Sequence, residues 1–171
     1  YGSGVNLEIF SSKTSAGANG RRNFLFAARM IREKGINEYI EAAKILSECD
    51  SNAKFFCCGE LCDNEIKRII RNEVRNNTII FLGLIDDMKP VLEECDCVVL
   101  PTYYNEGVPR ILIEAIAMAR VVITTRNAGC VDVVTESSGY FVEKKNANSI
   151  SMMMKKVIDE KDNILGYKGQ L

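Results

Sequence analysis

Six short apolar runs punctuate this chain: Asn23 to Arg29, Lys54 to Cys58, Thr78 to Leu82, Asp96 to Leu100, Val121 to Thr125 and Gly139 to Glu143. None alternates apolar with polar residues, which marks strands covered on both faces rather than half-exposed ones. The stretches between them change period. From Ile36 to Glu48, apolar residues recur at Ile36, Tyr39, Ile40, Ala43 and Leu46, the spacing of one helix face. Asn64 to Val74 repeats the pattern through Ile66, Ile69 and Ile70. A short helix is predicted from Asp87 to Cys95 with Pro90 in its first turn, and a final one from Asn148 to Lys161. Strand and helix alternate, so the chain is predicted to be an α/β protein. Its architecture would be a Rossmann-like doubly wound parallel sheet of about six strands with helices on both faces. Ligands of such sheets bind at the carboxyl ends of the strands, which directs attention to the loops after Ala28, Cys58, Leu82, Leu100 and Thr125.

One helix breaks the amphipathic rule. From Ile111 to Ala119, Glu114 is the only charged residue, and no polar stripe faces solvent. Pro109 suits the first helical position, where its missing N–H costs nothing. A lone carboxylate in such a helix costs on the order of several kcal/mol unless something binds it. Either it pairs with a nearby Lys or Arg, or it awaits hydroxyl donors from a ligand, since an ionised carboxylate accepts from two adjacent hydroxyls at once. Glu106 stands in the loop just before, followed by Gly107 and Val108.

Composition narrows the chemistry. The 171 residues are 47% hydrophobic, enough for one core, and the formal net charge of −1 implies no general attraction to nucleic acid. There is no histidine, so the commonest general base is missing from this chain. Seven cysteines lack metal-ligand spacing, and most sit in apolar or helical segments, where Cys acts as a small hydrophobe. Neither a metal nor a cofactor is expected. Free cysteines, the lack of a membrane-length apolar run and the lack of a signal-peptide pattern point to a cytoplasmic setting.

A second group of charges occupies the turn after the first strand. Ala28-Arg-Met-Ile-Arg-Glu-Lys-Gly35 places Arg29 and Lys34 at the strand mouth. Such cations suit a diphosphate, Arg as a planar fork and Lys as a point charge. Taken alone, an exposed basic turn explains them better; the Glu106–Glu114 segment at the same sheet edge gives the diphosphate reading its weight.

Taken in order, these pieces resemble the retaining family 4 glycosyltransferases, specifically the nucleotide-sugar-binding C-terminal half of their two-domain GT-B fold. Phe24 to Gly35 is similar to the family's Gly-Arg-x4-Lys-Gly phosphate loop, Glu106-x7-Glu114 to its paired glutamates, and Asn127 to Val134 with Ser138 to Val142 to its closing segments. Departures are Ala28 for a glycine, Ala119-Arg-Val for Gly-Lys-Pro, Asp132 for the usual Glu, and Val131 where related capsule enzymes often carry Arg.

The resemblance implies residues 1–22 as a linker from an N-terminal acceptor domain outside this chain, and residues 23–171 as the donor-binding domain. It implies that Glu114 holds the ribose and Glu106 the transferred sugar. Gly107 and Val108 would offer backbone N–H groups, with Pro109 opening a helix aimed at the phosphates. Arg29 and Lys34 would neutralise the departing diphosphate, and Gly83 would belong to the donor site. The implied partners are a nucleotide-sugar donor, the missing N-terminal domain and a lipid-linked glycan acceptor. The full-length protein would then lie against the inner membrane face in surface-polysaccharide synthesis, and this half alone would bind donor but hardly catalyse. Tyr103 and Tyr104 would border the donor sugar or simply pack.

Two other enzyme classes are excluded by pattern. Arg29-Met-Ile-Arg32 is not the glycine-rich turn of a dinucleotide-dependent oxidoreductase, and the Gly-x4-Gly-Lys-Ser/Thr run of a phosphate-loop NTPase is absent. A non-catalytic binding module of the same fold stays open beside the enzyme.

Overall fold

Phe24, Leu25 and Phe26 have at most 1% of their surface exposed, as a central strand requires. They belong to β1 (Arg22–Ala27) in the computed structural model, which describes residues 4–8, 10, 22–49, 52–105 and 107–160. The other strands are β2 (Ala53–Cys58), β3 (Ile80–Phe81), β4 (Cys97–Leu100), β5 (Val121–Thr125) and β6 (Gly139–Val142). They form one sheet in the order β3-β2-β1-β4-β5-β6, and every pair is parallel. β1 and β2 are in register from Arg22 opposite Ala53 to Ala27 opposite Cys58. This is the predicted doubly wound fold.

The helices are α1 (Ile36–Cys49), α2 (Asn64–Arg75), α3 (Lys89–Glu93), α4 (Arg110–Ala117), α5 (Ala128–Val131) and α6 (Ala147–Asp159). Strand order runs outward in opposite directions from β1 and β4. Right-handed crossovers therefore set α1 and α4 on opposite faces of the sheet, and α6 returns to pack on α1. Asp63 starts α2 by accepting the Ile66 N–H, and Asn146 starts α6 by accepting that of Ser149. Tyr39 is fully buried, and its hydroxyl sits within hydrogen-bond reach of the carbonyls of Phe24 and Phe56, tying α1 to β1 and β2.

The differences from the sequence reading are local. β3 is paired only over Ile80–Phe81, because it is an edge strand with β2 as its one partner. α3 is shorter than predicted, and α5 and a 3-10 turn at Arg32–Lys34 are additional. Pro109, with ψ 117, is extended and caps α4 instead of taking its first helical position. Within the expected linker, Phe10 packs into the core and Arg22 opens β1.

Candidate functional site

The strand order reverses between β1 and β4, and the carboxyl ends of the central strands open there into a crevice. Three of the loops around it are locked together by backbone approach. Beyond the end of β1, Met30 N–H still donates to the carbonyl of Glu60, at 2.8 Å. Gly59 has φ 141, and a side chain there would strike the carbonyl of Ala28. The loop after β4 reaches back to the first loop: the N–H groups of Tyr103 and Tyr104 and the hydroxyl of Thr102 all donate to the carbonyl of Glu33, at 2.8, 3.0 and 3.2 Å.

This framework brings together residues far apart in sequence. Arg29 is exposed and Lys34 is buried to 6%, yet both cations face the ring of Tyr104, at 5.8 and 5.1 Å from its centroid. Asn127, at the amino end of α5, donates to the carbonyl of Tyr104 at 2.5 Å and accepts from the ammonium of Lys144 at 2.9 Å. The Tyr103-Tyr104 loop is thereby held from both sides. Neither Asn127 nor Lys144 was visible as a site residue in the sequence, because the link is made across three loops.

Arg29 and Glu114 line one cavity of about 600 Å³ at the carboxyl edge. Its other walls come from Phe10, from Gly59 and Glu60 after β2, and from the segment Leu84 to Met88 after β3. Glu114 is 5% exposed on α4, and its carboxylate takes a hydrogen bond from Arg110 Nε at 2.7 Å. Burial pushes the Glu114 carboxyl above its ordinary range, and the neighbouring Arg110 opposes that rise. Of the two sequence alternatives for Glu114, pairing with an arginine is thus present, on a wall of the cavity.

Of the predicted site residues described, Lys34, Gly83, Gly107, Val108 and Pro109 do not line this cavity. Gly107 is exposed, Val108 half-buried and Pro109 buried at the entry to α4, and a side chain on Gly129 would strike the carbonyl of Gly107. Gly83 follows β3 with φ 80 and accepts the N–H of Gly59 at 2.8 Å, outside the cavity wall. Glu106 lies outside the described residues. Burial pushes the Cys57 thiol up to about 12 and that of Cys58 to about 11, so both are inert packing groups at the end of β2.

The family of proteins described as glycosyl transferases group 1 matches residues 9–170. The chain belongs to this family. Among relatives, it is 27% identical over 137 residues to the N,N'-diacetylbacillosaminyl-diphospho-undecaprenol alpha-1,3-N-acetylgalactosaminyltransferase of Campylobacter jejuni, covering 80% of this chain and 35% of that protein. It is 28% identical over 153 residues to the capsular polysaccharide biosynthesis glycosyltransferase CapM of Staphylococcus aureus, covering 85% of this chain and 39% of CapM. The chain therefore spans well under half the length of these two relatives.

Solved structures of the glycosyltransferase fold superpose closely. The C-terminal domain of the group 1 family protein LpcC from Francisella tularensis gives a TM-score of 0.75 at 22% identity, over 94% of this chain and 91% of that domain. Anabaena Alr3699/HepE in complex with UDP gives 0.82 at 17% identity, over 96% of this chain and 48% of that one. At these identities the likeness establishes the fold. Among the described residues, no helix is long and apolar enough to cross a membrane.

Proposed function

We propose that this glycosyltransferase chain is the donor-binding domain of a retaining enzyme that moves a sugar from a nucleotide-diphosphate sugar to an acceptor. The observation that carries the reading is the shared cavity. Arg29 and Glu114, far apart in sequence, face one space at the crevice of a doubly wound sheet, and Lys34 meets Arg29 over Tyr104. In this reading Glu114 accepts hydrogen bonds from the ribose hydroxyls. Gly107 and Val108 offer backbone N–H groups, and the amino end of α4 behind Pro109 favours the phosphates.

Arg29 and Lys34 then neutralise charge growing on the diphosphate as the bond to the sugar breaks and the sugar becomes oxocarbenium-like. Fixed cations supply this stabilisation without reorganising, and need no divalent metal beside them. Glu106 would orient the transferred sugar. Gly83 shapes the turn that meets Gly59 and so bears on the site through the backbone. Catalysis requires an acceptor domain beyond residues 1–22, and the printed substrate of the Campylobacter jejuni relative supports a lipid-linked glycan acceptor. The name of CapM supports surface-polysaccharide synthesis, which would bring the full-length protein to the inner membrane face.

A calorimetric or thermal-shift screen of UDP, GDP and ADP against their nucleosides tests the binding half of this reading. The matching diphosphate should stabilise the chain by about 1–3 kcal/mol at ten- to hundredfold excess over Kd, and the nucleoside by much less. Equal effects would remove Arg29 and Lys34 from the phosphate role. Binding without sugar transfer by the full-length protein would make the non-catalytic module the better description.

A further inference from the structure

Glu114 and Arg110 form an asymmetric pair. They stand one turn apart on α4, with Arg110 Nε 2.7 Å from Glu114 Oε1, but the carboxylate side chain is 6% exposed and the guanidinium side chain 70%. Both line the same cavity. The other charged groups on its walls are Arg29 from the first loop, Glu60 from the second, and Asp86 and Asp87 after β3. Carboxylates thus outnumber cations around Glu114. Asp87 and burial both work against its ionisation, and Arg110 is the cation bonded to it. A protonated Glu114 would keep one accepting oxygen fewer for a pair of ligand hydroxyls.

We propose that Arg110 is the positioning residue of this site: reaching over one turn of α4 from the solvent side, it fixes the Glu114 carboxylate through Oε1 and keeps it ionised for the hydroxyls of a bound nucleotide. This rests on Glu114 binding the ribose, as proposed above. Arg110 acts through Glu114 and makes no contact with the ligand in this role. An i to i+4 partner suits the task because the helix itself sets the approach of the two groups.

The test measures the Kd of UDP, GDP and ADP from about pH 5 to about pH 8 for the parent chain, Arg110→Gln, Arg110→Lys and Glu114→Gln. Affinity of the diphosphate that binds should fall as pH drops through the Glu114 titration. Arg110→Gln should move that fall to higher pH and also weaken Kd near about pH 8, where Glu114 is ionised but its Oε1 is no longer held, and Arg110→Lys should restore part of both effects. Glu114→Gln should bind weakly at every pH.

A carbon-13 NMR titration of glutamate carboxyls, with Glu114 assigned from Glu114→Gln, reads the same shift without ligand. An unmoved Glu114 titration in Arg110→Gln overturns the inference, and so does tighter binding by Arg110→Gln at all pH values, which would make the arginine a competitor of the ligand. If Glu114→Gln binds as well as the parent, or none of the three diphosphates binds, the ribose reading falls first and this inference with it.

Discussion

Asp96 and Glu114 are both buried carboxylates with an arginine against them, and they stand at opposite edges of one sheet. Asp96 precedes β4 at the amino edge. It accepts from Arg22 Nη1 at 3.2 Å and from the Asn23 N–H at 2.7 Å, and the buried Arg120 adds a second cation nearby. The Arg22 and Asp96 side chains are 10% and 4% exposed, so the whole group is sealed. Glu114, at the carboxyl edge, has one arginine reaching in from solvent and a cavity on its other side. The first arrangement is a closed polar knot that ties the starts of β1, β4 and β5. The second leaves accepting capacity toward open space, the condition for meeting a ligand. Burial of a charge says little about its role; which of its partners comes from the chain says more.

The largest expected effect lies at the closed edge. Asp96→Ala leaves Arg22 and Arg120 buried beside an empty position and should lower unfolding free energy by about 3–5 kcal/mol, read from urea denaturation. Nucleotide affinity of the folded fraction should be unchanged. A loss below about 1 kcal/mol would mean that the amino-edge group is no more than a surface pair.

The open edge should show the opposite division. In full-length protein, Arg29→Ala and Lys34→Ala should each lower kcat by the equivalent of roughly 3–4 kcal/mol. Arg29→Ala, at an exposed position, should leave stability within about 0.5 kcal/mol. Donor KM should change less than kcat, because their partner charge grows in the transition state. A change confined to KM would place them away from the leaving group.

Glu114→Gln should weaken binding of the matching nucleotide by about 1.5–3 kcal/mol, the range for hydrogen bonds to a charged group, as measured by calorimetry. Its stability effect is smaller and depends on pH. Burial raises the Glu114 pKa, so the folded chain holds that proton more tightly than the unfolded chain does. The associated stability is greatest below the unfolded value and declines as pH rises through the folded one. Urea midpoints should therefore shift in favour of Glu114→Gln, relative to the parent, as pH rises from below the ordinary glutamate range through the raised folded value. A constant difference across that range would show that the carboxylate is no worse off folded than unfolded.

β1, β4 and β5 are legible because strands covered on both faces are written as continuous apolar runs, whereas the edge strand β3, read the same way, leaves Ile80 42% exposed. Glycine marked the ends of β2 and β3 for a backbone reason that the structure makes concrete at Gly59. α5 escaped because four residues carry too little periodicity to be seen, and the turn at Arg32–Lys34 is shorter still. The Arg110–Glu114 pair is readable as an i to i+4 spacing, but the spacing does not say that Glu114 is buried while Arg110 stays in solvent. Nothing local could announce that Tyr104 carries both Arg29 and Lys34, or that Phe10 forms part of the cavity wall. Those contacts exist only once separate loops meet at one sheet edge.

The carbonyl of Glu33 receives three donors from Thr102, Tyr103 and Tyr104, across 69 residues of sequence in the case of Thr102. In mechanical terms, the cation loop and the approach to α4 are one jaw. A ligand that pulls on Lys34 therefore also loads the peptide planes from Thr102 to Tyr104. The facing wall of the cavity runs from Leu84 to Met88, where Leu84 is 72% exposed. One side of the crevice is thus cross-braced between two loops, and the other presents an exposed apolar side chain.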